Sequence, residues 1–182
     1  MAHLASLPEK ATLLDVFRRF PETNAPLIEY HEALLRGPSP FSDGERELIA
    51  AYVSGLNRCR YCHGVHAATA QRLTGISASD MAAMVASDDF SSADAAMRPV
   101  LALAGALTRD PRGVTPALAG AVTAAGWDET AYYHLVATTA LFNLMNRLVE
   151  GLGIELDPAY VEPSSKRLAE GGYLPLLKLM KA

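Results

Sequence analysis

The chain contains two cysteines, Cys59 and Cys62, which stand three residues apart. On a helix this spacing places both side chains on one face, one turn apart. His66 follows Cys62 by four residues and lies on the same face, so a base stands within one turn of a thiol. A thiolate is the nucleophile toward peroxides and disulfides, and a neighbouring histidine can accept the thiol proton. The spacing therefore favours thiol redox chemistry.

A carboxylate, Glu47, completes this set of residues. It precedes Cys59 by twelve residues, so it reaches the histidine only if the two predicted helices pack side by side. A carboxylate behind a histidine orients the ring and stabilises its protonated form. Glu45 is explained instead by a capping box with Ser42 at the start of the same helix. We therefore include Glu47 in the candidate site and leave Glu45 out.

Two opposing effects act on the relative reactivity of the thiols. Cys62 is one turn from His66 and Cys59 is two turns away, which favours Cys62 as the nucleophile. Cys59 lies nearer the N-terminus of the predicted helix, where the helix dipole favours a thiolate. Whichever sulfur attacks a peroxide, the other can trap the resulting sulfenic acid as a disulfide.

Other interpretations of the cysteine pair stay open at this point. The cysteines could be buried structural residues, or they could bind zinc together with Glu47 and His63 or His66, although a second Cys-x-x-Cys knuckle is absent. Residues 59–63 also satisfy the Cys-x-x-Cys-His pattern of c-type haem attachment, which normally requires export. A disulfide reductase or redox relay would need the same thiolate as a peroxidase, so the sequence does not separate the two.

Helices are predicted for almost the whole chain, because alanine is abundant and alternating β-branched runs are absent. Start signals and glycine stops delimit the predicted helices. The starts include the serines Ser42, Ser77 and Ser91 and the proline Pro116. The predicted helices cover residues 11–18, 26–36, 43–56, 59–73, 79–86, 92–108, 116–125, 128–152 and 174–181. Residues 157–172 are predicted to form an irregular polar arm. We expect His31, His134 and Tyr61 to be ordinary packing residues.

The composition indicates a single globular domain over residues 1–182, with its core at about 26–154. Half of the residues are hydrophobic, the net charge is −4, and no basic block is present, so nucleic-acid and membrane partners are not expected. The absence of a signal peptide pattern predicts a cytoplasmic location. The helix at 128–152 is apolar nearly all the way round, which predicts a central core helix or a subunit interface.

The motif resembles the signature of the AhpD-like alkylhydroperoxidases, within the carboxymuconolactone decarboxylase superfamily. The matching positions, with eleven, two and three residues between them, are Glu47, Cys59, Cys62 and His66. Residues 41–50 resemble the helix that leads into the motif, and residues 141–154 resemble the family's C-terminal helix. The Cys-x-Tyr-Cys form and the long N-terminal lead are most similar to the "peroxidase-related" branch. The resemblance covers roughly residues 26–154.

The resemblance implies an all-α fold of stacked helical hairpins and the reduction of organic hydroperoxides. Cys62 would be the peroxidatic thiol, Cys59 the resolving thiol, His66 the proton relay and Glu47 its support. No cofactor or metal is implied, and a dithiol reductant would reopen the disulfide after each turnover. Family members form closed homo-oligomers, so a dimer, trimer or hexamer is expected. The chain departs from well-studied members at Tyr61, where they have a histidine, and its cysteine pair separates it from the decarboxylase branch.

Overall fold

The computed structural model describes residues 2–181 and confirms an all-α fold, with no β-strand in that part of the chain. The helices of residues 2–181 are α1 (Leu13–Arg19), α2 (Pro21–Leu35), α3 (Asp43–Leu56), α4 (Arg60–Thr74), α5 (Ala78–Ser87), α6 (Met97–Arg109), α7 (Pro116–Ala124), α8 (Glu129–Gly151), α9 (Pro158–Gly171) and α10 (Leu174–Lys181). None of them is long and apolar enough to cross a membrane.

The hairpin of α3 and α4 carries the cysteine motif. Asn57 ends α3, and Arg58, at φ 58°, turns the chain so that Cys59 becomes the N-cap of α4. The Cys59 N–H donates to the Ser54 carbonyl oxygen at 3.0 Å, which holds the turn tight. The two helices therefore pack side by side, as a contact between Glu47 and the α4 motif requires.

Two of the predicted serine-led helix starts are present and one is wrong. Ser42 and Ser77 each form a capping box with the carboxylate three residues later. The helix predicted at 92–108 instead begins at Met97. The Ser91 N–H donates to the Asp89 carboxylate at 3.0 Å, and such local bonds hold the backbone in a turn and compete with helix formation.

Helix α2 begins five residues earlier than predicted. Pro21 occupies its first turn, where a missing N–H costs nothing, and Pro26 lies inside the helix and does not start it. The Phe20 carbonyl oxygen accepts both the Asn24 side-chain amide at 2.7 Å and the Asn24 backbone N–H at 3.2 Å, which fixes the first turn. The earlier start gives α2 the length to reach both α8 and α10.

The prediction of an irregular arm at residues 157–172 is also wrong. Asp157 caps α9, with its side chain accepting from the Ala159 N–H, and a proline follows at the first helical position. The helix packs on α4 and buries Leu168 together with two serines whose small side chains allow close approach. Helix α10 then packs on α1 and α2. The C-terminal residues therefore fold onto their own core and do not project toward a neighbour.

Helix α8 runs through the core and contacts α2, α3, α4, α6 and α7. Its buried side chains include Leu135, Phe142 and Val149, as the sequence predicted for a central core helix. Tyr133 and Leu144 lie eleven residues apart on the opposite face and are 63% and 51% exposed. This helix therefore packs the core on one side and presents large apolar side chains on the other.

Candidate active site

The α3–α4 hairpin brings the four candidate residues together. Glu47 of α3 faces His66 of α4, with 2.6 Å between Glu47 Oε2 and His66 Nδ1. Cys59 is the N-cap of α4, and Cys62 lies in the first turn of that helix. Cys62 and His66 line the same cavity. The site thus has two adjacent thiols, a histidine and a carboxylate on two neighbouring helices.

Glu47 is fully buried and binds three side chains. Its Oε2 contacts His66, and its Oε1 accepts from Arg36 Nη2 at 2.6 Å and from the Tyr173 hydroxyl at 2.8 Å. Burial alone would raise the pKa of Glu47, but the charges and hydrogen bonds of His66 and Arg36 lower it to about 2. Because Glu47 is a carboxylate at neutral pH, His66 Nδ1 is the donor, and Nε2 remains for chemistry in the cavity.

Arg36 and Tyr173 are site residues that the sequence motif does not include. Arg36 directly follows α2, and its guanidinium lies over the Tyr173 ring at 5.2 Å from the centroid. Tyr173 joins α9 to α10 and is buried, although it follows directly on the segment predicted to be an arm. Both residues lie outside the sequence motif, so only the tertiary structure shows that they contact Glu47.

Both thiols are free and buried, and only Cys62 lines the cavity. The hydrogen bond between the thiols lowers the pKa of Cys59 and, together with burial, raises the pKa of Cys62. The position of Cys59 at the N-terminus of α4 also favours its thiolate. Acidity therefore favours Cys59 as the thiolate, and access to the cavity favours Cys62 as the nucleophile.

A buried amide network supports the thiols from α8. Asn146 Nδ2 donates to Ser54 Oγ at 3.0 Å, and Asn146 Oδ1 accepts from Asn57 Nδ2 at 2.9 Å. These bonds tie α8 to the turn that precedes Cys59. A hydrogen bond with Asn146 also favours the charged form of Cys62, against the raising effects on its pKa.

The cavity beside Cys62 and His66 has a volume of about 50 Å³. A water molecule needs roughly 10–15 Å³ of such volume, so the cavity has room for only a compact molecule. Its apolar wall includes Phe17, Ile28, Val65, Phe142, Met145 and Leu168. Removal of water by such a wall strengthens the electrostatic interactions of the side chains that face the cavity.

His31 and Tyr61, both expected to be ordinary packing residues, also line this cavity. The His31 ring lies 5.3 Å from the Tyr173 ring and donates from Nδ1 to the Leu27 carbonyl oxygen at 2.7 Å. Burial lowers the pKa of His31 to about 4, so the ring is neutral at pH 7 with Nε2 unprotonated. Tyr61 is buried and stacks on Tyr160 at 5.9 Å between ring centroids.

Metal binding has no support in the described region. Within residues 2–181, no group of three or more histidine, cysteine, aspartate and glutamate side chains is arranged to hold a metal ion. The zinc alternative for the cysteine pair therefore lacks a set of ligands there. His63, one of its candidate ligands, directs Nδ1 to the Ala51 carbonyl oxygen at 2.9 Å and does not line the cavity of Cys62.

Comparisons with known proteins agree with this architecture. The sequence profile of the carboxymuconolactone decarboxylase family matches residues 21–106. The fold is similar to an uncharacterized peroxidase-related protein from Silicibacter sp. TM1040, at 25% identity and a TM-score of 0.74 over 81% of this chain and 77% of that one. It is also similar to an uncharacterized peroxidase-related protein from Ralstonia eutropha JMP134 that is described as an alkylhydroperoxidase AhpD core. The identity there is 22% and the TM-score 0.71, over 80% of this chain and 76% of that one. A search of curated proteins found no significant match.

Proposed function

We propose that this chain, an AhpD-like member of the carboxymuconolactone decarboxylase superfamily, is a thiol peroxidase that reduces organic hydroperoxides. The observation that carries the proposal is the shared cavity of Cys62 and His66, with Cys59 beside Cys62 and Glu47 holding His66. A nucleophile, a proton donor and a second thiol are the three groups that thiol-based peroxide reduction needs.

The first step is attack by Cys62 on the terminal oxygen of the hydroperoxide. An S–O bond forms, the O–O bond breaks, and the sulfur is oxidised to a sulfenic acid while the peroxide is reduced. The proton of Cys62 passes to the neighbouring Cys59 thiolate, which makes the less acidic but accessible sulfur the nucleophile. The departing alkoxide takes a proton from His66 Nε2, which received it from the Cys59 thiol when the Cys59 thiolate formed. Glu47 stabilises the charged ring during this cycle.

The second step closes the disulfide. Cys59 attacks the sulfur of the Cys62 sulfenic acid, an S–S bond forms, and the oxygen leaves as water. An external dithiol then reduces the disulfide by thiol–disulfide exchange and becomes a disulfide itself. A cytoplasmic location belongs to this proposal, because reducing compartments supply such dithiols.

The enclosure of the site favours peroxide over a protein disulfide as the oxidant. Cys62 is 3% exposed and Cys59 is fully buried, so neither sulfur is presented on the surface. A small hydroperoxide fits a cavity of about 50 Å³, whereas a protein disulfide must reach the sulfur from outside. A disulfide reductase remains the rival function, and the relative rates with a peroxide and with a protein disulfide distinguish the two.

The test is steady-state consumption of tert-butyl hydroperoxide with dithiothreitol as reductant, compared with reduction of insulin disulfides. We expect peroxide turnover in the wild type and its loss in Cys62→Ser, Cys59→Ser and His66→Gln. His63→Gln is the matched control, since His63 lies on the same helix outside the cavity. Faster reduction of insulin than of peroxide, with the same dependence on the cysteines, would overturn the proposal in favour of the reductase.

A further inference from the structure

Arg167 of α9 is an arginine in the wall of the cavity that also holds Cys62 and His66. Its Nη2 donates to Tyr160 Oη at 3.1 Å and to Ser164 Oγ at 3.0 Å, and the guanidinium lies 5.8 Å from the centroid of the Tyr160 ring. These contacts hold the guanidinium in place. Its Nε is buried and has no hydrogen-bond partner.

The charge of Arg167 is not neutralised by the protein. None of the ion pairs within residues 2–181 includes Arg167. Arg36, in contrast, pairs with Glu47, and Glu162 of α9 pairs with Arg72 of α4. A partly buried guanidinium with an unsatisfied N–H is costly unless an anion binds it. Among the charged groups around the site, Arg167 is therefore the one that lacks a partner.

Arg167 and Cys62 line the same cavity, so a molecule bound there can face both side chains. Tyr160, which Arg167 binds, stacks on Tyr61, and Tyr61 is the residue before Cys62. Burial raises the pKa of Tyr61, and the charge of Arg167 opposes this effect, so its field reaches the first turn of α4. The remaining wall is mostly apolar. The cavity thus has a thiol, a mostly apolar wall and a guanidinium without a carboxylate partner.

We propose that the substrate is a compact organic hydroperoxide that carries a carboxylate, with the carboxylate bound by Arg167 and the peroxide directed to Cys62. This inference rests on the peroxidase function proposed above and adds the chemical class of the substrate. A guanidinium binds carboxylates through hydrogen bonds assisted by charge, which are stronger than neutral ones. A cavity volume of about 50 Å³ favours a short carbon chain.

The test uses pairs of reagents that differ only in charge. A short hydroperoxy carboxylic acid and its primary amide measure peroxide turnover. Iodoacetate and iodoacetamide measure alkylation of Cys62 in a Cys59→Ser background, where the thiolate displaces iodide without any redox step. We expect the wild type to prefer the acid of the peroxide pair by about 10-fold or more in kcat/KM, the size of one charge-assisted hydrogen bond.

Arg167→Gln should abolish this preference by lowering kcat/KM for the acid. Arg72→Gln is the matched control, because Arg72 also joins α4 and α9 but pairs with Glu162 outside the cavity. It should keep the full preference for the acid. Melting curves of both variants establish that the α4–α9 contact persists, so a lost preference is assigned to recognition.

The outcomes separate this inference from the proposed peroxidase. Equal turnover of acid and amide by the wild type, or a preference that persists in Arg167→Gln, overturns the carboxylate site while leaving the peroxidase intact. No peroxide turnover, together with an iodoacetate preference that depends on Arg167, overturns the peroxidase and retains the anion site. Alkylation of Cys62 by iodoacetamide but not by iodoacetate overturns the inference, because the cavity then excludes a compact carboxylate.

Discussion

At the scale of single residues, Glu47 determines the electrostatics of the site. Its two oxygens accept from one histidine, one arginine and one tyrosine, and its pKa of about 2 keeps it charged. The sequence predicted the contact with His66 on the condition that the two helices pack side by side. It did not predict that the same carboxylate forms an ion pair with the partly buried Arg36, so Glu47 has a structural role beside its role in positioning the histidine.

Glu47→Gln should therefore lower both rate and stability. Loss of the charge that holds His66 should reduce peroxide turnover by about 10-fold or more. Loss of the Glu47 charge should also lower the free energy of unfolding by about 2 kcal/mol, the size of a hydrogen bond between charged groups, since Arg36 then keeps only its longer ion pair with Asp43. Turnover assays and urea denaturation measure the two effects.

Tyr173→Phe is the matched comparison for Glu47→Gln. It removes one hydrogen bond to Glu47 and keeps every charge, so the cost in unfolding free energy should be only about 1 kcal/mol and most of the turnover should remain. A folded Glu47→Gln with wild-type turnover would contradict the assignment of Glu47 to the proton relay.

At the scale of elements, the α3–α4 hairpin and α10 were predictable and α9 was not. The capping box of Ser42 and the motif of α4 are local patterns, and local patterns are visible in sequence. Helix α9 is polar, with Pro163 in its interior, and its burial depends on small serines that fit against α4. Such a fit is a property of two surfaces, so neither α9 nor the position of Tyr173 could be derived from one sequence.

The joint between α9 and α10 gives a prediction at this scale. Gly172 has φ 65°, and a Cβ there would lie 2.6 Å from Glu32 Oε2, which accepts from the Tyr173 N–H at 2.7 Å. Gly172→Ala should therefore displace Tyr173 from Glu47, lower the free energy of unfolding by about 1 kcal/mol or more, and slow peroxide turnover.

Gly171→Ala is the control for that substitution. Gly171 is helical, and its Cβ would meet only Pro175 Cγ at 3.5 Å, an ordinary contact. Alanine favours a helix over glycine, so this variant should be at least as stable as the wild type. Equal melting temperatures and rates for the two alanine variants would show that the joint does not position Tyr173.

At the scale of the whole molecule, His31 predicts how stability depends on pH. The folded protein keeps this ring neutral down to a pKa of about 4, whereas the unfolded chain protonates it near pH 6.5. Its contribution to stability is therefore complete above pH 6.5 and is lost as the pH falls toward 4, at a total of about 3 kcal/mol. His31→Gln should flatten the dependence in this window, while substitution of the exposed His3 by glutamine should not.

Denaturation curves between pH 4 and 7 measure this effect. Glu47 does not obscure it, because a depressed carboxylate pKa removes stability only as the pH falls from 4.5 toward 2. An unchanged slope between pH 6.5 and 4 in His31→Gln would show that another group accounts for the acid sensitivity.

Assembly into a homo-oligomer stays a prediction, and the exposed face of α8 supports it. Leu144 and Tyr133 present apolar surface there, with Tyr30 of α2 also 44% exposed. Closed symmetric assembly is a common way to bury such surface. Light scattering should give a mass above the 19.4 kDa of one chain. The substitution Leu144→Glu should lower this mass, while circular dichroism should still show a folded helical protein. A wild-type mass of one chain at micromolar concentration would contradict the prediction.

The central claim is that a hydroperoxide oxidises Cys62 and that Cys59 closes the disulfide, and a single-turnover reaction followed by mass spectrometry tests it most directly. Reduced protein mixed with one equivalent of tert-butyl hydroperoxide should lose two hydrogen atoms and form a Cys59–Cys62 disulfide. Cys59→Ser should stop at a sulfenic acid on Cys62, and Cys62→Ser should leave the peroxide unconsumed. Rapid oxidation of Cys59 in Cys62→Ser, or wild-type protein that remains reduced, would contradict the account.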